Sequence, residues 1–204
     1  FFFFFFFVLL QPAVQADYWA SAVDHVPTAV NCPSGLAILA RQPFEPVLEM
    51  LPSNNGRNFL SATLAVGGAE VLVGTFHLES AERDHDVRAA QMAAIAARVG
   101  DRLAVLGGDT NIKPGVTHDA APVFPGLLDV WDGADAAGGP TRGPDVLPVN
   151  IPPAWVGNFR QDVIYASPLL AVTARCHLGD TLSYASDHLA VLASFSLPSQ
   201  RITH

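Results

Sequence analysis

The sequence predicts an α+β, or mixed α/β, sandwich that contains more strands than helices. Half of its 204 residues are hydrophobic, which is enough to form a buried core within one domain covering residues 1–204. Short apolar runs recur along the chain and end at Gly or Pro, as strands joined by tight turns do. A single segment, from Ala81 to Val99, has the length and Ala-rich composition of a long helix.

The N-terminal residues are abnormal, because seven consecutive Phe open the chain and set residues 1–8 apart from the rest. A truncated or misread start is favoured over a signal peptide cleaved after Ala16, since no positive charge precedes the apolar run. The run is also too short to cross a bilayer. Phe7–Leu10 is a predicted buried strand that Pro12 interrupts, and Ala13–Val23 is a predicted short helix.

The remaining elements follow from the spacing of apolar residues and turn residues. Gly67 and Gly68 predict a tight turn between two strands, and Gly100 ends the long helix. The connection from Lys113 to Asn158 is rich in Gly, Pro and Asp, and connections of this length are usually functional. A tail is predicted at residues 198–204. The predicted strands are Leu36–Leu39, Phe59–Val66, Glu70–Phe76, Leu103–Leu106, Phe159–Ala166 and Ala190–Leu197.

The charge and cysteine content limit the classes of function. With a net charge of −8 and only 11 Lys and Arg, the chain lacks the residues for an extended basic face that coats duplex nucleic acid. An acidic nuclease remains compatible, because its carboxylates can hold a divalent cation that faces the phosphate. Cys32 and Cys176 lie far apart and outside any zinc-ligand or redox spacing, which indicates a reduced intracellular protein.

The stretch Val105–Asn111 carries the first candidate site. An apolar run ends there in two glycines, and Asp109 and Asn111 follow two residues apart. Side chains two residues apart share a face of an extended strand, so the carboxylate and the carboxamide are predicted to point into one site. The same residues would also make a good turn, and this stretch alone leaves that alternative open.

Polar residues follow apolar runs in four places. Such a set suits metal-assisted attack of water on a phosphate ester. That reaction needs carboxylates to hold a hard cation and donors to bind the phosphate oxygens. The four clusters are His77–Ser80, Asp109–Asn111, Arg160–Asp162 and Ser186–His188.

Each cluster also has a structural alternative that the sequence leaves open. His77 would be a hydrogen-bonded histidine at a strand end, and Ser80 would be an ordinary helix N-cap. Asp162 would pair with Arg160 inside the apolar strand. Ser186–His188 would cap the last strand. The phosphate chemistry is favoured because four such clusters recur in one chain.

The order of the motifs HLES, GGDTN, RQDVIYAS and SDHLAVL resembles the endonuclease/exonuclease/phosphatase superfamily. This resemblance implies a DNase I-like fold, a two-sheet β-sandwich flanked by helices, with the first strand or strands missing here. Within the superfamily, HLES, GDTN, Asp129-Val130-Trp131 and Arg57-Asn58 are most similar to the tyrosyl-DNA phosphodiesterase 2 (TDP2) family. The similarity extends from about Leu9 to Leu197.

The resemblance also implies a role for each candidate residue. Asp109 would activate the attacking water, and Asn111 would bind the phosphate and its transition state. His188, held by Asp162, would donate to the phosphate, and Mg2+, with Mn2+ as the alternative, would be the cofactor. The implied site residues are catalytic Asp109, Asn111, His188, Asp162 and His77, substrate-binding Ser80 and Arg142, and metal-binding Asp187 and Asp109.

The reaction implied by the resemblance is hydrolysis of the 5′-phosphotyrosyl bond between DNA and a trapped topoisomerase. The chain would then be a Mg2+-dependent phosphodiesterase of DNA repair. Its partner would be a DNA 5′ end that carries this adduct, with no membrane involved. A monomer located in the nucleus is expected on the same basis.

Three departures from the family pattern are present. Pro12 follows Leu10-Gln11 where the family has a metal-binding Glu, and the preceding strand with its Asn is absent; both departures are attributed to the truncated start. Arg142 follows Thr141 where the family has Trp. Two alternatives therefore remain: a catalytically impaired member with a binding or structural role, or another phosphodiesterase or nuclease of the superfamily. HLES and GDTN argue against the second alternative, and Arg142 leaves room for it.

Overall fold

The computed structural model describes residues 19–20, 36–113, 124–131, 139–142, 159–178 and 188–197. These residues form ten strands and one helix, α1 (His85–Val99). The strands are β1 (Trp19–Ala20), β2 (Leu39–Ala40), β3 (Val47–Met50), β4 (Asn58–Val66), β5 (Ala69–His77), β6 (Ala104–Asp109), β7 (Leu128–Asp129), β8 (Asp162–Ala166), β9 (Ala171–Leu178) and β10 (Ala190–Ser196).

Six strands form the main sheet in the order β3-β4-β5-β6-β8-β7. β5 and β6 are parallel, and every other neighbouring pair in this sheet is antiparallel. The predicted hairpin between β4 and β5 turns at Gly67 and Gly68, whose φ angles of 57° and 83° favour glycine. A parallel pair needs a crossover connection, and α1 lies in the connection between β5 and β6.

Apolar side chains cover both faces of the main sheet. On one face, buried Val73 and Ile164 belong to a core against which Phe195 of β10 packs, and β10 pairs with β9 in a second sheet. On the other face, Ile95 of α1 is buried in a separate core with Phe59. Two sheets with a helix on the outer face confirm the predicted mixed α/β sandwich.

Several predicted elements differ from the structure, and the strand predicted over Leu36–Leu39 is observed only as β2 at Leu39–Ala40. Helix α1 begins at His85 rather than Ala81, because the preceding residues form a turn in which the amide of Asp84 donates to the carbonyl of Ala81 at 3.0 Å. Trp19–Ala20 forms a strand paired with β2, whereas a helix was predicted over Ala13–Val23. Pairing with a distant strand overrides local propensity at these two residues.

Three strands, β3, β7 and β9, are absent from the predicted set, and β7 is only two residues long. β3 is four residues long, and most side chains of β9 are exposed, so neither has the apolar run that marks a buried strand. β8 begins at Asp162, three residues later than predicted, because Phe159 instead forms an isolated bridge with Arg142. The predicted strand Phe7–Leu10 and the predicted tail lie outside the described residues.

Strand register determines which polar residues meet. The parallel strands β5 and β6 end together, with His77 opposite Asp109. The antiparallel strand β8 begins at the same level, with Asp162 opposite Asp109 on the other side. The main sheet therefore delivers three predicted site residues to one edge. Within the described residues, no helix has the length and apolar character that crossing a membrane requires.

Candidate active site

Asp109 lies at the centre of the polar cluster at this sheet edge. Its Oδ2 atom is 3.5 Å from Nε2 of His77. The carboxylate of Asp162 and the imidazole of His188 complete the group, and one ligand atom from each of Asp109, Asp162 and His188 lies within 4.8 Å of the others. Four of the five predicted catalytic residues therefore converge as expected from the motifs.

His188 is bound to Asp162 through a distance of 2.7 Å between Nδ1 and Oδ2. Burial alone would lower the pKa of His188, but the hydrogen bond and the charge of Asp162 outweigh it and raise the pKa. The imidazole therefore remains cationic up to a higher pH than an unperturbed histidine does. The structure pairs Asp162 with His188, and both guanidinium Nη atoms of Arg160 bind the carboxylate of Asp129.

His77 has the opposite electrostatic character. Burial lowers its pKa, and the charges of Arg57 and His188 lower it further against the raising effect of Asp109. The two imidazoles on either side of Asp109 therefore have pKa values that are shifted in opposite directions. Of the two, His188 is the better proton donor, and His77 is the better acceptor.

The two carboxylates create a requirement for positive charge. Asp109 and Asp162 are opposite neighbours on adjacent strands and are only 6% and 9% exposed. Burial raises the pKa of Asp162, and the charge of Asp109 raises it further against the hydrogen bond from His188, so the two carboxylates are charged together only where cations compensate. His188 supplies one positive charge, and a hard divalent cation with oxygen ligands fits the same pair of carboxylates. The predicted metal ligand Asp187 lies outside the described residues, as does Pro12.

Asn111 reaches the site by a route that differs from the predicted strand alternation. β6 ends at Asp109, and Asn111 adopts a left-handed φ of 54° just beyond it. Its backbone amide donates to Asp109 Oδ1 at 2.7 Å, and its side-chain Nδ2 donates to the carbonyl of Leu78 at 3.0 Å. Asn111 therefore orients the Asp109 carboxylate and ties it to the residue that follows His77. Left-handed backbone is most readily adopted by Gly, Asn and Asp.

Thr141 is a site residue to which the sequence motifs give no role. It is fully buried, and its hydroxyl accepts from the amides of Gln161 and Asp162, each at 3.2 Å. Its carbonyl accepts from the amide of Leu189 at 2.8 Å. Thr141 therefore fixes both halves of the Asp162–His188 pair relative to each other.

Of the two predicted substrate-binding residues, Arg142 acts on this cluster, whereas within the described residues the structure gives no contact between Ser80 and the cluster residues. Arg142 follows Thr141, and its charge acts on His188 strongly enough to oppose the rise of the His188 pKa. Ser80 is exposed and follows the buried Glu79. The N-cap alternative for Ser80 is wrong, because the helix begins at His85 and Asp84 occupies the N-cap position.

Arg57 is a further cation at the site, and its side chain is only 6% exposed. Its Nε atom lies 3.9 Å from Glu79 Oε1, and its charge contributes to the lowered pKa of His77. In the sequence, Arg57 is distinguished only as part of the Arg57-Asn58 motif. Its burial beside a site histidine is a tertiary property that the local sequence does not encode.

No protein-family model and no curated protein matches the sequence. Solved structures do match. TDP2 from D. rerio, complexed with a single-strand DNA product, is 20% identical, with a TM-score of 0.73 over 89% of this chain and 78% of that chain. TDP2 from C. elegans is 23% identical, with a TM-score of 0.72 over 90% of this chain and 59% of that one. The human Nocturnin catalytic domain with bound sulfate is 20% identical, with a TM-score of 0.67 over 94% and 77% of the two chains.

The chain has the DNase I-like fold. An endonuclease/exonuclease/phosphatase protein from Beutenbergia cavernae, 24% identical with a TM-score of 0.64 over 79% of this chain and 47% of that one, shares it as well. At these identities the DNase I-like fold is the common property, and the roles of individual residues depend on the geometry described above.

The raised pKa of His188 leads to a testable pH dependence of anion binding. Sulfate keeps its charge from pH 6 to 9, whereas the His188 imidazolium is lost as the pH rises through its raised pKa. We expect sulfate affinity, measured by isothermal titration calorimetry, to fall about tenfold over this range, the value of a charge-assisted hydrogen bond. His77 has a lowered pKa and contributes little to the change. The His188→Gln variant should bind weakly at every pH, and a pH-independent affinity of the unmodified chain would contradict the assignment.

Proposed function

We propose that this chain is a divalent-cation-dependent phosphodiesterase of the endonuclease/exonuclease/phosphatase superfamily that hydrolyses 5′-phosphotyrosyl bonds at DNA ends. The observation that carries the proposal is the convergence of Asp109, Asp162 and His188 within 4.8 Å at the end of the central strands. Two carboxylates and a cationic imidazole are the groups that water attack on a phosphate ester requires. Their position in a DNase I-like fold supports the same chemistry.

Asp109 orients the attacking water and accepts its proton. The amide of Asn111 holds the carboxylate in place during this step. His188, kept cationic by Asp162, donates to a phosphate oxygen as negative charge accumulates there. A Mg2+ or Mn2+ ion held by the oxygens of Asp109 and Asp162, with Asp187 in the same ligand set, would supply Lewis-acid neutralisation of the phosphate.

A tyrosyl leaving group suits this set of residues. The phenol of tyrosine has a pKa of about 10, so its oxygen leaves more readily than the alkoxide of a sugar. Its departure therefore needs little assistance from a general acid. His77 and Ser80 contact the remaining phosphate oxygens in this proposal, and Arg142 lies on the side of the tyrosyl leaving group. The D. rerio TDP2 structure contains a single-strand DNA product, which supports a DNA strand end as the substrate of the present chain. A role in DNA repair, as a monomer in the nucleus, completes the proposal.

The deciding experiment is release of tyrosine from a 5′-tyrosyl oligonucleotide with Mg2+, Mn2+ or a chelator present. We expect metal-dependent release of tyrosine from the oligonucleotide. We expect no cleavage of duplex DNA bearing an abasic site and none of poly(A). Cleavage of either of these instead would assign the chain to another branch of the superfamily. Inactivity towards all three substrates by a folded protein would refute the proposed reaction.

A second candidate is a catalytically impaired protein that binds DNA ends, and Pro12 favours it because proline has no metal-ligand side chain. The Pro12→Glu variant distinguishes the two candidates. If the family ligand belongs at this position, its introduction should raise kcat by at least about tenfold, since Lewis-acid assistance is worth several kcal/mol. Tight binding of the oligonucleotide by both forms, without release of tyrosine by either, would support the second candidate.

Arg142 is expected to weaken recognition of the tyrosine ring relative to the family's Trp. An aromatic pair contributes about 0.5–1.5 kcal/mol, so Arg142→Trp should lower KM for the 5′-tyrosyl oligonucleotide by about three- to tenfold. An oligonucleotide with a 5′-alkyl phosphodiester is the matched control, because it retains the phosphate and lacks the ring. Equal changes of KM for both substrates would show that Arg142 does not face the leaving group.

A further inference from the structure

The Glu79 carboxylate is buried two residues after His77 and binds three donors from a single loop. Glu79 is 0% exposed. Its Oε2 accepts from Ser53 Oγ at 2.7 Å and from the amide of Asn54 at 3.0 Å. Its Oε1 accepts from Nδ2 of Asn55. Although burial opposes it, these hydrogen bonds lower the pKa of Glu79, so the group is a buried carboxylate in its charged form.

The loop that Glu79 binds connects β3 to β4 and carries Arg57 at its end. The hydroxyl oxygen of Ser53 accepts from the amide of Asn55 at 3.0 Å and from the amide of Arg57 at 2.9 Å. The amide of Leu51 closes the loop by donating to the carbonyl of Arg57 at 3.0 Å. A continuous chain of hydrogen bonds therefore runs from Glu79 through Ser53 to the backbone of Arg57.

Glu79 is itself fixed from the opposite side by two fully buried polar residues of α1. Its amide donates to Gln91 Oε1 at 2.9 Å, and its carbonyl accepts from Arg88 Nη1 at 2.9 Å. Gln91 Nε2 also donates to the carbonyl of Pro52 at 2.9 Å, which joins the same loop to the helix. The sheet, the helix and the loop thus meet at Glu79, and its hydrogen bonds among the described residues go to the loop and the helix.

The Arg57 guanidinium faces Glu79, and its charge acts on His77. Its Nε atom is 3.9 Å from Glu79 Oε1, which is an ion-pair distance and too long for a hydrogen bond. Within the described residues, Nε and Nη1 of Arg57 are buried and donate no hydrogen bond. The Glu79 charge therefore stabilises a buried guanidinium while leaving these donors for an anionic group, since an unpaired buried cation is costly.

We propose that Glu79 is a positioning residue. Through the Ser53–Arg57 loop, it fixes the Arg57 guanidinium beside His77, at the end of the site that receives the anionic group of the substrate. Glu79 does not touch the substrate itself. The inference rests on the proposed function for its catalytic consequence, whereas the placement of the loop and the binding of an anion are independent of any reaction.

The test compares Glu79→Gln with Glu70→Gln, an exposed glutamate at the opposite end of β5. Glu79→Gln should speed amide hydrogen exchange of residues 53–57 and weaken sulfate binding, each by about tenfold, because one buried charge-assisted hydrogen bond is replaced by a poorer one. Glu70→Gln should change neither quantity. Neither measurement depends on turnover, so both remain informative if no phosphodiester substrate is cleaved.

A double-mutant cycle separates positioning from general stabilisation. If Glu79 acts through Arg57, then Glu79→Gln combined with Arg57→Met should bind sulfate no more weakly than Arg57→Met alone. Ser53→Ala breaks the same chain without altering Glu79 and should also weaken sulfate binding several-fold, which keeps the test valid if Glu79→Gln fails to fold. On an active substrate the loss should appear mainly in KM. Additive effects in the cycle, or sulfate affinity unchanged by both Ser53→Ala and a folded Glu79→Gln variant, would overturn the proposal.

Discussion

Asp109→Asn is expected to lower kcat/KM for the 5′-tyrosyl oligonucleotide by about a thousandfold or more, the largest loss of any single substitution at this site. General-base catalysis contributes about 10²–10⁴-fold, and the asparagine amide can neither accept the proton of water nor hold a cation as a carboxylate does. Asp109 is also the group that His77 and the Asp162–His188 pair surround. Initial rates in Mg2+, with the free tyrosine quantified, give the ratio directly.

The fold of the Asp109→Asn variant should be intact, which makes the loss interpretable. The amide of Asn111 donates to Oδ1 of Asp109, and the carbonyl oxygen of asparagine can accept the same hydrogen bond. Removing one of two facing carboxylates also relieves like-charge repulsion with Asp162. We expect thermal unfolding at or above the temperature of the unmodified chain. A folded variant that keeps more than a tenth of the original rate would remove Asp109 from its assigned role.

The centre of the fold is predictable from the sequence because its signals are local. The Gly67-Gly68 turn, the Ala-rich stretch before Gly100 and the apolar run before Asp109 each lie within a few residues of the element they specify. Together they determine the β4–β5 hairpin, the crossover helix and the parallel strand β6. The motifs then place His77 and Asp109 at the ends of the parallel strands, where the strand register brings them together.

The support of the site is not predictable in the same way, because its hydrogen bonds join residues that are distant in sequence. Ser53 and Glu79 are separated by 26 positions, and Thr141 and Asp162 by 21. Ser, Thr and Glu are common surface residues, and no periodicity distinguishes those that the fold buries. A motif identifies the residues that perform chemistry, whereas the residues that hold them are identified only by tertiary contacts.

Gly108 lies in β6 immediately before Asp109. Gly108→Ala is expected to destabilise the fold and to displace the site residues. A Cβ atom at this position would lie 2.1 Å from the carbonyl oxygen of Phe76 and 2.8 Å from Cδ2 of its ring. The nearer atom belongs to the backbone of β5, so the clash can be relieved only by moving β5 and β6 apart. His77 and Asp109 are the next pair in register, and their 3.5 Å contact would be lost with that movement.

Overpacking of this kind costs about 1–3 kcal/mol or more, and each kcal/mol lowers Tm by about 2–4 °C in a chain of this length. We expect Gly108→Ala to lower Tm by about 6 °C or more and to reduce kcat/KM by at least about a hundredfold, since misplacement of a catalytic group by about 1 Å has that effect.

Gly139→Ala is the matched control, because its Cβ would meet no atom closer than 3.9 Å. If the two variants unfold at the same temperature, the close approach of β5 and β6 is not what requires glycine before Asp109. If Gly108→Ala loses stability but keeps its activity, the geometry of the His77–Asp109 pair tolerates strand separation, and catalysis depends on Asp162 and His188 instead.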